Sequence, residues 1–304
     1  MPLLAWSALA ASMVLVGSYV GLARLLVGVF PVFLLAWLRF LIGAVAMLPW
    51  LGRTPGEPRL SAREQRWLFL ESFFGNFGFS VCMLYGVAWT SATAAGVTMA
   101  ALPAAVALLA RVLLGQWLAP RTLLAVALAA AGIALLALAR DAGAAGDHGT
   151  GLRLVGGHLL LVGAVGCEAV YVVLGQRLAA GIAPRRISAL INLWGCALVA
   201  PLGAWQALGF DFAAVAPSDW ALLAFYALAA SVVSVWLWMR GLREVPATQA
   251  GVFTVLLPVA SAVVGVAVLG EPWSPAHAAA LALAIGGLLL ATWPARRAEG
   301  RESG

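Results

Sequence analysis

Two charged side chains stand where charge is expensive. Arg39 lies about eight residues into an apolar run, roughly 12 Å deep at 1.5 Å per residue, and Glu168 lies near the middle of another. Ionisable groups at such depth mark a pathway, a pair or a wet cavity. Arg39 and Glu168 could neutralise one another, or either could meet the opposite charge of a small molecule. Glu168 could also stay neutral and hydrogen-bonded, or carry a proton whose movement is coupled to that molecule. Asn76, with Phe77, Ser80 and Tyr85 around it, sits in a third apolar run, and Tyr171 follows Glu168 by three residues. Asn192 and Trp194 occupy a further run, and Ser231, Ser234, Trp236 and Trp238 another.

Pro103 and Pro258 each lie near the middle of an apolar segment. A proline lacks the amide donor and clashes with the carbonyl four residues earlier, which frees the carbonyls of Met99 and Thr254. In lipid a free carbonyl must face protein or a wet cavity, so both helices are expected to bend there and act in gating. The candidate binding set is therefore Arg39, Asn76, Tyr85, Met99, Glu168, Tyr171, Ser234, Trp238 and Thr254, with Pro103 and Pro258 as kinks. These residues can hold a small amphiphile by hydrogen bonds, charge and aromatic surface.

Bond-making chemistry is not signalled. H-E-x-x-H, a Walker loop and G-x-S-x-G are all missing. The chain has no lysine, which rules out the usual Schiff-base chemistry. Cys82, Cys167 and Cys196 fall in apolar segments without a C-x-x-C pair, against a disulfide framework or a zinc site. No catalytic residue, metal or cofactor is expected, and without an ATPase motif any active transport must be secondary. An intramembrane enzyme acting on lipid would need a converging set of nucleophile, base or metal ligands, which the chain does not offer.

These residues sit on long apolar helices. Of 304 residues 63% are hydrophobic and 10% charged, whereas soluble domains are about half apolar and a quarter charged. A spanning helix needs about 20 apolar residues. Runs bounded by Arg, Pro, Gly or acidic residues predict ten: 3–23, 32–51, 67–88, 92–114, 120–139, 153–177, 186–208, 219–240, 247–269 and 274–293. The Gly/Ala-rich stretch 140–152 reads as a linker between two five-helix halves, 1–139 and 153–293, with 294–304 as a tail.

The halves are related. Ala92–Gln116 (ATAAGVTMAALPAAVALLARVLLGQ) returns as Ala247–Glu271 (ATQAGVFTVLLPVASAVVGVAVLGE), with Gly96, Pro103 and Gly115 matching Gly251, Pro258 and Gly270 at a spacing of 155. Five helices is an odd number, so a second copy enters the membrane upside down, the inverted-repeat design of alternating-access carriers. Fourteen arginines fall on the side of the termini and three, Arg24, Arg140 and Arg153, on the other. That bias puts both termini in the cytoplasm. The net charge of +6 follows the same bias and comes with no basic run suited to nucleic acid. Trp6, Trp50, Trp67, Trp117, Trp220, Trp273 and Trp293 lie at helix ends, as an interfacial belt requires. Gly17 and Gly21 allow close helix packing and say little about a dimer. His158 is expected at the interface.

The chain resembles the drug/metabolite transporter superfamily in its ten-helix EamA-type branch. The likeness rests on Leu242, Pro246, Ala247, Ala250, Pro258 and Leu269-Gly270-Glu271 in the second copy. In the first it rests on Tyr85, Ala88, Ala92, Ala95, Pro103 and Leu114-Gly115, with Leu38-Arg39-Phe40 in the second helix. Gln116 departs from the usual glutamate. The resemblance implies a basket of ten helices, with the fifth and tenth peripheral and the others lining a central cavity. It also implies a bacterial inner-membrane exporter of amino acids and related metabolites, aromatic ones included, or a multidrug or other metabolite carrier of the same superfamily.

Overall fold

Glu64 and Ser61 cap one another at the start of a helix: the Glu64 amide donates to Ser61 Oγ (3.2 Å) and the Ser61 amide to Glu64 Oε2 (2.7 Å). This reciprocal capping box starts the third helix at Ala62, five residues before the apolar run that predicted it. Local signals of this kind set the other starts too. Proline stands at the first turn of the helices beginning at Pro184 and Pro217, where its missing N–H costs nothing.

The structure, a computed structural model, describes residues 2–53, 60–114, 148–178, 183–242, 253 and 256–292, with isolated positions between 120 and 135. The described helices are α1 (Pro2–Val29), α2 (Val32–Ala46), α3 (Ala62–Ser72), α4 (Phe79–Trp89), α5 (Ala92–Met99), α6 (Leu102–Leu114) and α7 (His148–Leu178). Then come α8 (Pro184–Leu208), α9 (Pro217–Leu228), α10 (Ser234–Leu242), α11 (Leu256–Val263) and α12 (Pro275–Thr292). No strand occurs among the described residues. Gln116, Thr254, most of 120–139, the first part of the 140–152 linker and the tail lie outside them.

Among the described residues, three π-helical turns interrupt the helices: Phe73–Gly78 joins α3 to α4, Ala229–Val233 joins α9 to α10, and Val264–Val268 extends α11. Among the described residues, five runs are long and apolar enough to cross a bilayer: Leu3–Val29, Ala62–Trp89, Gly151–Tyr171, Arg185–Leu208 and Pro217–Trp238. Val32–Ala46, Leu256–Ala267 and Pro275–Gly287 are shorter apolar helices. Val45, Leu159, Trp205 and Val263 point outward from such runs, as side chains facing lipid do.

Several boundaries differ from the sequence-based expectation. α1 continues to Val29, so Arg24 belongs to a helix rather than a loop. Its Nη1 donates to the carbonyls of Val87, Ala88 (3.0 Å) and Thr90 (2.7 Å), closing the C-terminal end of α4. α7 begins at His148, so the last residues of the expected linker are helical. The segment 92–114 is two helices, parted at Ala100–Ala101, where the Ala101 amide turns to the Thr98 carbonyl (3.0 Å). Pro103 follows immediately in the first turn of α6. Pro258 sits in the first described turn of α11.

Helices far apart in sequence pack together. α1 lies on α10 and α11, α7 on α4 and α6, α2 on α8, and α5 on α11. The Gly17/Gly21 spacing serves the first of these contacts. A Cβ on Gly17 would run into the Leu257 carbonyl and the Ala260 side chain, and one on Gly21 into Val264. The close approach is thus internal to the chain.

Glu271 ties distant segments together through three hydrogen bonds. Gly270 turns with φ +65°, the left-handed region that favours glycine, and brings the next residue back across the bundle. Glu271 Oε1 accepts from the Ala92 amide (2.7 Å), and Oε2 from the Thr93 amide (3.1 Å) and hydroxyl (2.8 Å). Gly265 leaves the room: a Cβ there would meet Glu271 Oε2 and Thr93 Oγ1. Ser261 Oγ donates to the Ala92 carbonyl (2.8 Å) beside it. The N-terminus of α5 is thereby capped by a carboxylate from a segment 178 or 179 residues later.

Candidate functional site

The Arg39 guanidinium from α2 stacks over Phe40 (4.7 Å to the ring centroid) and Tyr226 of α9 (5.5 Å). Its Nη1 donates to Ser80 Oγ of α4 at 3.3 Å. Tyr226 meets Tyr19 of α1 edge to face, with centroids 5.7 Å apart. Arg39 is only 8% exposed. Aromatic faces and a hydroxyl offer a guanidinium this deep its partners.

Glu168 and Tyr171 of α7 face the same group. A spacing of three puts them on one side of the helix, and Glu168 lies within electrostatic range of Arg39 and Tyr19. No direct ion pair joins Arg39 to Glu168 among the described residues; they are neighbours rather than a salt bridge. Tyr171 fills a slot opened by Gly75 in the first π-turn, where a Cβ would overlap its ring. Beyond Tyr171 stands Glu71 of α3, in electrostatic range of both Tyr171 and Glu168. Tyr19, Arg39, Glu71, Ser80, Glu168, Tyr171 and Tyr226 thus form one polar group inside the apolar bundle, drawn from six helices.

A second polar spot continues along α2 one turn past Arg39. A Cβ on Gly43 would meet Asn192 Oδ1 of α8 and Ser231 Oγ of the second π-turn, both at 2.9 Å. Both oxygens are buried without a hydrogen-bond partner. The Asn192 amide faces Met47 Sδ at 3.7 Å.

Of the residues singled out from sequence, Arg39, Glu168 and Tyr171 come together. Ser80 joins them through Arg39, whereas Asn76, Tyr85, Met99, Ser234 and Trp238 make their contacts elsewhere. Asn76 donates from Nδ2 to the Ile191 carbonyl (2.6 Å), beside Ser72 Oγ on the same oxygen (2.8 Å), and so ties the π-turn to α8. Tyr85 packs on Phe33 and Trp89. Met99 lies in an apolar cluster with Met83, Val87, Leu161 and Val165. Ser234 Oγ bonds within its own helix to the Ala230 carbonyl (3.3 Å). Trp238 packs on Ala5 and Leu9 near the start of α1, about 15 Å along that helix from Tyr19 at 1.5 Å per residue. Thr254 lies outside the described residues. His158, expected at the interface, is buried, with Nδ1 2.9 Å from the Leu154 carbonyl. Cys82 and Cys167 are free thiols, facing one another between α4 and α7.

Sequence reasoning missed Tyr19, Tyr226 and Glu71. One signal was present: the chain has four tyrosines, and three of them gather here.

The polar group holds no set of three His, Cys, Asp or Glu suited to a metal among the described residues. Its equipment is for binding charge and aromatic or apolar surface. The EamA-like transporter family model matches residues 3–138 and 155–293. The chain belongs to this family. It is 34% identical over 287 residues to the uncharacterized transporter YetK of Bacillus subtilis (strain 168), spanning 94% of this chain and 86% of that one. It is 27% identical over 278 residues to the uncharacterized transporter YyaM of the same organism, spanning 91% and 89%. A solved crystal structure at 23% identity superposes with a TM-score of 0.60 over 94% of this chain and 96% of the other; that likeness is one of fold. As an EamA-family member with apolar spans, the protein is a multi-pass membrane transporter, and not an enzyme.

Proposed function

We propose that this EamA-family protein exports small amphiphilic metabolites, foremost amino acids with aromatic or apolar side chains, across the bacterial inner membrane. It works by alternating access between two inverted five-helix halves, 1–139 and 153–293, with both termini in the cytoplasm. The polar group around Arg39 and Glu168 carries this reading. It pairs opposite charges that are not spent on a direct bond, and it surrounds them with Tyr19, Tyr171 and Tyr226. A zwitterion with an apolar side chain complements such a site. The packing supports the inverted halves: α1 on α10 and α11 has its counterpart in α7 on α4 and α6. The π-turns at 73–78 and 229–233 also coincide at the repeat spacing.

Purified protein in liposomes should exchange labelled phenylalanine or tryptophan by counterflow, and should leave a phosphorylated sugar behind, since sugar phosphates demand several buried cations. Movement of no amino acid, threonine included, overturns the substrate. Glu168 is assigned the coupling proton. A pH gradient should therefore accelerate phenylalanine export in the wild type and have no effect on Glu168→Gln; a wild type indifferent to the gradient removes the coupling.

The break at Ala100–Ala101, just ahead of Pro103, is the assigned gate in the first half, with the Pro258 region as its partner. Pro103→Ala supplies an amide able to bond the Met99 carbonyl and straighten the helix. Its counterflow rate should fall several-fold with the protein still folded, and an unchanged rate would remove the proline from the mechanism.

A further inference from the structure

Glu71 is the most deeply buried charged side chain among the described residues, 1% exposed, and its Oε2 has no hydrogen-bond partner. An unpartnered carboxylate oxygen in an apolar interior is costly, and a chain that keeps one has a use for it. On the far side of the same group, Arg39 Nε is also buried and without a partner. The polar group thus presents one open acceptor and one open donor. Between them lie Glu168, Tyr171, Tyr19 and Tyr226, with Cys167 next to Glu168; Arg186 is the charged side chain buried on α8, which packs against α3.

We propose that Glu71 is a further substrate-binding residue, and that it takes, together with Glu168, the ammonium group of a primary amine. Arg39 Nε then remains for the acidic end of a zwitterion. This rests on the polar group being the transport site, yet it requires only a primary amine with an apolar body, not an amino acid in particular. Tyr171, in electrostatic range of both carboxylates, would offer its aromatic face to the cation. Glu71→Gln keeps the shape of the side chain and removes its charge, and Glu71→Asp keeps the charge.

The test is binding to the purified full-length protein, read by calorimetry and by melting temperature, with 2-phenylethylamine, its neutral isostere 2-phenylethanol, and phenylalanine. The wild type should bind the amine at least tenfold more tightly than the alcohol. Glu71→Gln should weaken the amine by about 10- to 100-fold, as loss of a hydrogen bond to a charged group does, and should leave the alcohol unchanged. Glu71→Asp should recover part of the loss. Equal affinity of the wild type for amine and alcohol overturns the proposal without need of any variant. So does a folded Glu71→Gln that binds the amine as the wild type does, which is the behaviour of a merely neutral, structural carboxyl. Binding of 2-phenylethylamine without transport of any amino acid would sustain the ammonium site and overturn the amino-acid reading.

Discussion

Arg39→Leu is expected to reduce counterflow of phenylalanine by about 100-fold or more. The substitution takes the only arginine from the polar group, leaves Ser80 Oγ without its donor, and strips the cation from the faces of Phe40 and Tyr226. It also leaves Glu168 with no positive neighbour. Removing one partner from a buried charge arrangement costs about 3–5 kcal/mol, some of it in stability and some in substrate binding. Thermal unfolding in detergent alongside counterflow separates the two. Arg39→Lys keeps the charge but loses the planar stacking surface and the fork of donors, so it should retain stability better than leucine while transport still falls about tenfold. An Arg39→Leu protein that exchanges phenylalanine at the wild-type rate would remove Arg39 from the site.

The contrast between Arg39 and Glu71 shows what a sequence can disclose about such a site. Arg39 is conspicuous because apolar residues flank it on both sides. Glu71 lies only five residues inside the run 67–88, close behind Arg63, Glu64 and Arg66, so it does not stand out there as a deep charge. It is the helix packing that turns position 71 into the bundle, where α3 lies against α7 and α8. Asn76 stays apart from the polar group for a different reason. It lies inside a π-turn, whose wider winding rotates every later side chain relative to an α-helical register, and the amide ends on the α8 backbone. Tyr19 and Tyr226 meet across more than two hundred residues, which no local pattern encodes. The break before Pro103 was legible because proline acts on the carbonyls beside it. Gly270 and Glu271 were legible only as a repeat that departs at Gln116, since the partner of the carboxylate is the end of a helix in the other copy.

Glu271→Ala is expected to lower the unfolding temperature by about 5 °C or more and to slow transport with it. The carboxylate accepts three hydrogen bonds at the N-terminus of α5, from two backbone amides and the Thr93 hydroxyl. Each is charge-assisted, and a carboxylate at a helix N-terminus also gains from the dipole. Losing an N-cap typically costs about 0.5–2 kcal/mol, and two stranded, partly buried amides raise that to about 2–4 kcal/mol. α5 is short, buried over all its residues, and ends at the break before Pro103. Its position also rests on Ser91, whose Oγ accepts from the Ala94 amide (3.0 Å), and on packing against α1, α7 and α11. Glu271→Gln retains one acceptor oxygen and should lose about half as much as alanine. Arg24, which closes the end of α4 on the other side of the same turn, offers an independent check. Because the two clamp one turn from opposite charges, Arg24→Ala combined with Glu271→Ala should cost less than the sum of the single changes. Additive costs in that cycle would mean that the two side chains act independently, and a Glu271→Ala protein as stable as the wild type would mean that α5 is positioned by packing alone.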